Sequence, residues 1–213
     1  RKFVSDSLCV DKATMLPSPI KNLIDLLTEL PSIGPRQATP SAFHITNLGK
    51  AKIAEFARAL QGLDAMKTCS RCFLVHQNAS DQCAICESPK RRADIVAVVE
   101  KETDLVSIEK AGNFNGRYLV IGELTKGALL APDQKLKLQH LKSLAKKLPG
   151  GTHEEIIIAT NPTTYGDLSA AVIAQELKGA AKKISRLGRG IPTGGEIEFA
   201  DEETLRQSLQ HRD

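Results

Sequence analysis

Four of the five cysteines in this 213-residue chain fall within KTCSRCFLVHQNASDQCAICESPKRR, residues 67–92. They form two Cys-x-x-Cys pairs, Cys69/Cys72 and Cys83/Cys86, with ten residues between the pairs. A Cys-x-x-Cys knuckle lets two thiolates reach one ion, and two knuckles complete a tetrahedron, the arrangement of a zinc site. A site closed by four cysteines keeps no open position, so it is structural and not catalytic. About 25 residues cannot bury enough surface to hold a fold, and metal binding supplies the missing folding energy. His76 lies between the pairs, but two complete knuckles leave it no place. The competing use of Cys-x-x-Cys, a thioredoxin-like redox pair, finds no other support in the chain.

Disulfides are not expected, because the protein reads as cytoplasmic, where thiols stay reduced. No run of about 18 apolar residues suggests a membrane span. The opening RKFVSDSLCVDKAT lacks the apolar centre of a signal peptide. Cys9 lies outside the cluster and is given no role. The first periodic pattern begins after Met15, so Met15 is expected near the natural start and residues 1–14 as a disordered or added extension.

The net charge of +4 is unevenly spread. Residues 1–92 hold thirteen Lys and Arg against eight Asp and Glu, whereas residues 93–213 hold sixteen against seventeen. A basic front half suits an anionic partner, nucleic acid being the commonest, although ordinary surface charge would look the same.

Helical spacing marks residues 20–30 (IKNLIDLLTEL) and about 50–65. Beyond Pro89 the texture changes to short β-branched runs at 94–100, 117–122, 154–160 and 182–188, alternating with helical patterns at 103–112, 133–148 and 166–179. Gly112 closes the first of these helices, and Asp133 is the expected N-cap of the second. This alternation predicts an α/β domain, a mostly parallel sheet with helices on both faces. The boundary falls near 90–93, and the chain is expected to end in a glycine-rich loop, a short strand and a final helix. No internal repeat or low-complexity segment is present.

Between the first two helical stretches lies LPSIGPRQA, residues 30–38. Gly34 would permit a positive φ, and Pro35 suits the first turn of a helix. The amides that follow would face outward at a helix N-terminus, where phosphate binds. Ile33, Gly34 and Arg36 are therefore candidate DNA contacts of a helix-hairpin-helix, which grips the sugar-phosphate backbone without reading bases. A plain helix–helix turn fits the spacing equally well.

In an open parallel sheet, ligands sit beyond the carboxyl ends of the strands. Glu100 ends the first strand of the α/β region, and Asp167 follows the IIIATNP strand at the start of a helix. The pair is a candidate for Mg²⁺ or partner contact; solvated acids would read alike. Glu109, on a helix, is expected to be solvated. No Walker A pattern is present, and GRGIPTGG opens no long helix, so it is not a dinucleotide fingerprint.

With these residues in hand, the chain resembles the bacterial RecR recombination mediator family from Met15 to Arg212. The parts come in the family's order: a hairpin (LPSIGPRQA), four zinc cysteines, Toprim stretches (VVEKETDLVSIEKAGNFNGRYLVIG and IIIATNPTTYGD), and the C-terminal RLGRGIPTGGEIEFAD. The resemblance implies a Toprim-type sheet and a division into residues 1–14, a hairpin region 15–66, a zinc finger 67–92, a Toprim domain 93–180, and residues 181–213 with oligomer contacts. It implies a non-enzymatic, DNA-binding mediator of DNA repair. Such a protein helps RecO-type and RecF-type partners load the RecA recombinase on single-stranded DNA, or on duplex with a single-stranded gap. It also implies structural Zn²⁺, a dimer or tetramer ring, no membrane, and a cytoplasmic, nucleoid-associated location. The C-terminal stretch resembles the family's Walker B-like segment.

Three departures stand out. Ser32 replaces the first glycine of the family's Gly-Ile-Gly. Pro40 falls inside the second hairpin helix, where it is expected to delay or kink that helix. Tyr165 takes the place of an acid after NPT, leaving few ligands for Mg²⁺. Two further readings stay open: a metal-dependent Toprim nuclease or primase using Glu100 and Asp167, and a scaffold that binds proteins but not DNA.

Overall fold

The structure, a computed structural model, describes residues 16–124, 127 and 129–210. The expected extension 1–14 and Cys9 lie outside these residues. The chain divides into two compact units, residues 1–65 and 66–213.

The first unit is helical. Helix α1 (Ser18–Thr28) pairs with α2 (Pro35–Asn47), and α3 (Lys50–Gln61) runs into a 3₁₀ turn at Gly62–Ala65. Ala38 and Ala42, four apart on α2, are fully buried. α2 does not start late: it begins at Pro35 and runs unbroken through Pro40. The proline sits in the sixth helical position, where it denies the Arg36 carbonyl its i+4 donor. The hydroxyls of Thr39 and Ser41 donate to the neighbouring carbonyls of Pro35 and Gln37 at 2.9 and 2.7 Å.

The second unit opens with a small antiparallel hairpin, β1 (Lys67–Thr68) and β2 (Val75–His76), followed by the single-turn helix α4 (Ala84–Glu87). Four parallel strands then form the main sheet: β3 (Ile95–Val99), β4 (Arg117–Val120), β5 (His153–Ala159) and β6 (Ala181–Arg186), in the order β4-β3-β5-β6. The connecting helices are α5 (Glu102–Ala111), α6 (Pro132–Ala145) and α7 (Thr164–Glu176), and α8 (Glu202–Gln210) closes the chain.

The period-2 side-chain alternation of strands explains the two cores. Val96, Val98, Leu119, Ile121, Ile156 and Ile158 face one side, against Leu138 and Leu141 of α6 and Ala170 and Ile173 of α7. Ala97, Val99, Tyr118 and Val120 face the other, against Leu105 of α5. Leu74 and Ile85 from the cysteine region join that second core. Sheet and cysteine region therefore pack as one body, joined also by the Val120 N–H donating to the Cys72 carbonyl at 2.8 Å.

Several sequence expectations need correction. Ala131, not Asp133, caps α6: its N–H donates to Gln134 Oε1 at 2.9 Å, and Pro132 and Asp133 already lie in the first turn. Glu109 is not solvated; it accepts from Arg91 at 2.8 Å and from the Tyr118 hydroxyl at 2.6 Å. The expected last strand is absent among the described residues. Ile197–Phe199 forms a 3₁₀ turn instead, because the segment does not pair with the sheet, whose edge on that side is β6.

Candidate metal centre and nucleic-acid interface

The β1–β2 hairpin supplies the first cysteine knuckle. The Cys69 N–H donates to the Leu74 carbonyl at 2.9 Å, and the Phe73 N–H returns to the Cys69 carbonyl at 3.0 Å. Phe73 takes a left-handed φ of 64°, which turns the chain so that both sulfurs face inward. The second knuckle is the first turn of α4, where Cys83 is the N-cap and Cys86 is buried.

All four cysteines are buried, and their sulfurs lie within 4.8 Å of one another. Cys72 Sγ and Cys83 Sγ are 3.5 Å apart. Four thiolates at about 2.3 Å from a tetrahedral zinc stand about 3.8 Å apart, so the set fits the ion. The Cys83 N–H donates to Cys69 Sγ at 3.3 Å, an interaction that favours the thiolate. The bond from Cys72 pulls the Cys83 thiol down, while the same bond pushes Cys72 up. A divalent cation would replace those shared protons. The arrangement can hold a metal and offers it no open position.

Three basic side chains lie to one side of this cluster, beside Cys86. Arg71, Arg117, Cys86 and His153 border one small cavity. The Nε atoms of both arginines are buried without a hydrogen-bond partner. Sequence reasoning missed this group; Arg71, between Cys69 and Cys72, was its visible sign.

In the hairpin unit, the left-handed residue is Ser32, with φ 65°, and not Gly34. Gly34 is extended, φ −92° and ψ 175°, and serves as N-cap of α2. Its N–H donates to Gln37 Oε1 at 3.2 Å. The Gln37 and Ala38 amides donate back to the Gly34 carbonyl at 3.0 and 2.9 Å, and Pro35 has no N–H. Fewer backbone donors thus face outward than the sequence suggested, while the Arg36 side chain is exposed. Ile33 is half-buried, with its N–H on the Leu30 carbonyl at 3.2 Å.

The two acids at the strand ends have other partners. Glu100 follows β3, is 8% exposed, and accepts the Asn161 N–H at 3.2 Å, tying the end of β3 to that of β5. Gly166 is required by close packing, since a Cβ there would stand 2.0 Å from the Asn161 carbonyl oxygen. Thr163 Oγ1 accepts the Gly166 N–H at 3.0 Å and caps α7, which places Asp167 in its first turn. Asp167 then meets Arg186 at 2.7 Å and both Nη atoms of Arg189. The Arg189 bonds, ahead of Arg186, hold its carboxyl down to about 2. No third His, Cys, Asp or Glu joins Glu100 and Asp167 in a metal-sized group among the described residues. Glu100 and Asp167, the candidate pair for Mg²⁺ or partner contact, thus each take part in a separate contact of the fold. Arg189 belongs to the RGIPTGG stretch, whose lone arginine between glycines was the one hint of this pairing.

Comparison with known proteins agrees with this picture. Residues 94–188 match the Toprim domain family, and residues 190–212 match the family described as RecR, C-terminal. The chain is 34% identical to Recombination protein RecR of Gloeobacter violaceus, over 93% of this chain and 98% of that protein. Identity to Recombination protein RecR of Clostridium perfringens is 38%, over 92% and 96%. For the protein of that name from Frankia alni it is 36%, over 91% and 95%.

Proposed function

This chain belongs to the RecR family, and we propose that it is a recombination mediator of DNA repair that binds DNA and helps partner proteins load a RecA-type recombinase on single-stranded DNA. The observation that carries this reading is the match, over more than nine-tenths of the chain, to proteins named Recombination protein RecR. In this reading the four cysteines hold one structural Zn²⁺, supported by sulfur spacing that suits a tetrahedral ion. Arg36, with Gly34 and Ile33 framing the turn, contacts the sugar-phosphate backbone.

The Toprim sheet acts as a surface for repair partners of the RecO and RecF type rather than as a catalyst. Support comes from Asp167, whose carboxylate is engaged by two guanidinium groups and is poorly placed to recruit Mg²⁺. The C-terminal segment joins copies of the chain into a dimer or tetramer ring. Its Ile197 and Phe199 are 69% and 78% exposed in the single chain, an arrangement that a second copy would relieve. No helix among the described residues is long and apolar enough to cross a membrane, and the protein would work in the cytoplasm, at the nucleoid.

The test is fluorescence anisotropy of zinc-loaded protein on labelled single-stranded and gapped DNA, with and without a RecO-type partner, across a salt series. Salt-dependent binding, alone or with the partner, is expected, because phosphate contacts release counterions. No binding under either condition would favour the scaffold that binds proteins but not DNA. Mg²⁺-dependent cleavage abolished by Glu100→Gln would favour the nuclease.

A further inference from the structure

Between Asp133 and Glu154 lie twenty residues with five lysines and no carboxylate, in a half of the chain whose overall charge is slightly negative. The stretch covers α6 and the loop that follows it. Gln134, Leu138, Leu141 and Ala145 are buried, so one face of α6 is fixed against the sheet. At 100° per residue, Lys135, Lys142 and Lys146 then fall within about 40° of one another along one flank of the helix, about 90° round from the centre of the buried face. Lys146 still has helical geometry as C-cap, φ −60° and ψ −19°. The three cover about 16 Å along the axis at 1.5 Å per residue.

The lysines of this unit are not treated alike. Lys182 and Lys183 on β6 pair with Glu154 and Glu155 at 2.7 and 2.8 Å, and Lys101 pairs with Glu123 at 2.6 Å. Lys137 on α6 turns inward, donating to the Ile121 carbonyl at 3.1 Å with its ammonium 5.3 Å from the Phe73 ring centre. Lys135, Lys142, Lys146 and Lys147 form no ion pair with the described residues. Complementing the helix dipole explains cations in the last turn only; Lys135 stands in the first turn, where a cation is unfavourable. An uncompensated row of ammonium groups at both ends of one helix suits an external polyanion.

We propose that the lysine flank of α6, Lys135, Lys142 and Lys146 with Lys147 at its end, is a second DNA-backbone contact, separate in sequence and in compact unit from the Arg36 hairpin. This inference rests on the DNA-binding reading above. The ammonium groups act as mobile point charges, so they grip phosphates without selecting sequence. The row spans about five phosphates of one strand at about 3.4 Å of axis each. Non-specific contact of this kind would let a mediator stay on DNA while its hairpin releases and rebinds.

The experiment compares the wild type, a triple Lys135→Gln, Lys142→Gln, Lys146→Gln variant, and Arg36→Ala, on single-stranded and duplex DNA across salt. These side chains lie away from the core, so the melting temperature and the zinc content of the triple variant are expected to match the wild type. Its log Kd against log salt should lose a slope of about 2 on single strands and about 2.7 on duplex, for three neutralised contacts. Arg36→Ala should lose less than one, and the combined variant should lose the sum. As a check independent of any variant, a lysine-directed amine reagent should be slowed at Lys135, Lys142 and Lys146 by bound DNA. A wild type that binds DNA together with a triple variant of unchanged slope and affinity overturns this surface alone. Slowed labelling by a RecO-type protein and not by DNA would assign it instead to an acidic protein partner and overturn it too. A wild type that binds no DNA removes both this surface and the function it rests on.

Discussion

Arg189 reaches from the loop after β6 to grip both oxygens of Asp167 in the first turn of α7, fixing the start of the C-terminal segment to the sheet. With Arg186 on the same carboxylate, the pair makes Asp167 a mooring for that segment. The sign of its pH dependence follows. The Asp167 carboxyl is lowered from 3.8 to about 2, so its contribution is complete above about pH 4 and is lost as pH falls through about 2. Asp167→Asn should free residues 187–200 without unfolding the sheet. Hydrogen exchange is the measurement: faster exchange in that segment, unchanged exchange in β3 and β5, and a mutant segment insensitive to acid between pH 4 and pH 2. Unchanged protection in the variant would show that Ser208, which accepts the Ile191 N–H at 3.2 Å, holds the segment by itself.

Metal removal should reach beyond the zinc region. Leu74 and Ile85 sit on the same sheet core as Val99 and Val120, so loss of the ion loosens that core as well. A chelator, or Cys72→Ser, should lower the melting temperature by about 10 °C or more, at about 2–4 °C per kcal/mol for a chain of this size. Metal analysis should give one zinc per chain in the wild type and none in Cys72→Ser. A variant that lost its zinc but kept its melting temperature would mean that packing alone holds the cysteine region.

The lining of the metal centre has its own consequence. Four thiolates on a divalent ion leave two negative charges, and Arg71 and Arg117 are placed beside them with unpartnered Nε groups. Arg117→Met keeps an unbranched, largely apolar stem and removes the guanidinium with its charge. Competition with a chromophoric chelator should show zinc held less tightly in the variant, because a nearby positive charge that offsets the thiolates is gone. Equal affinity would assign Arg117 a packing role only.

Much of the fold could be read from the chain because its strongest signals are local. The four β-branched runs became β3 to β6, Gly112 became a left-handed helix end at φ 75°, and the spacing of the cysteines foretold their convergence. What escaped notice was set by tertiary contact. Glu109 looks like any exposed helix acid until Arg91, eighteen residues earlier, and Tyr118 of β4 close on it. Asp167 resembles an ordinary first-turn acid until Arg189 arrives from beyond the last strand. The alternation in GEIEFAD reads as a strand, but alternation needs a sheet edge to pair with, and this segment joins none among the described residues. Gly34 drew the left-handed turn because glycine tolerates it, whereas the chain turns two residues earlier, on a serine.

That serine supplies a test of the hairpin. Ser32 pays the steric cost of a left-handed φ, about 1–2 kcal/mol for a residue with a Cβ. Ser32→Gly relieves this cost, offset in part by the greater freedom of glycine in the unfolded chain. A net gain of about 0.5–1 kcal/mol is expected in urea unfolding of the full chain. Pro40→Ala should add to it, because an alanine N–H restores the bond to the Arg36 carbonyl and spares part of the roughly 3 kcal/mol that an interior proline costs. The two sites lie on opposite sides of the α2 N-cap and share no hydrogen-bond partner, so their gains should sum within about 0.5 kcal/mol. Tighter DNA binding by the double variant at equal zinc content would tie turn order to phosphate contact. Unchanged binding beside a real gain in stability would mean that Arg36 already reaches DNA from the strained turn, and that Ser32 and Pro40 affect the stability of the hairpin and not its grip.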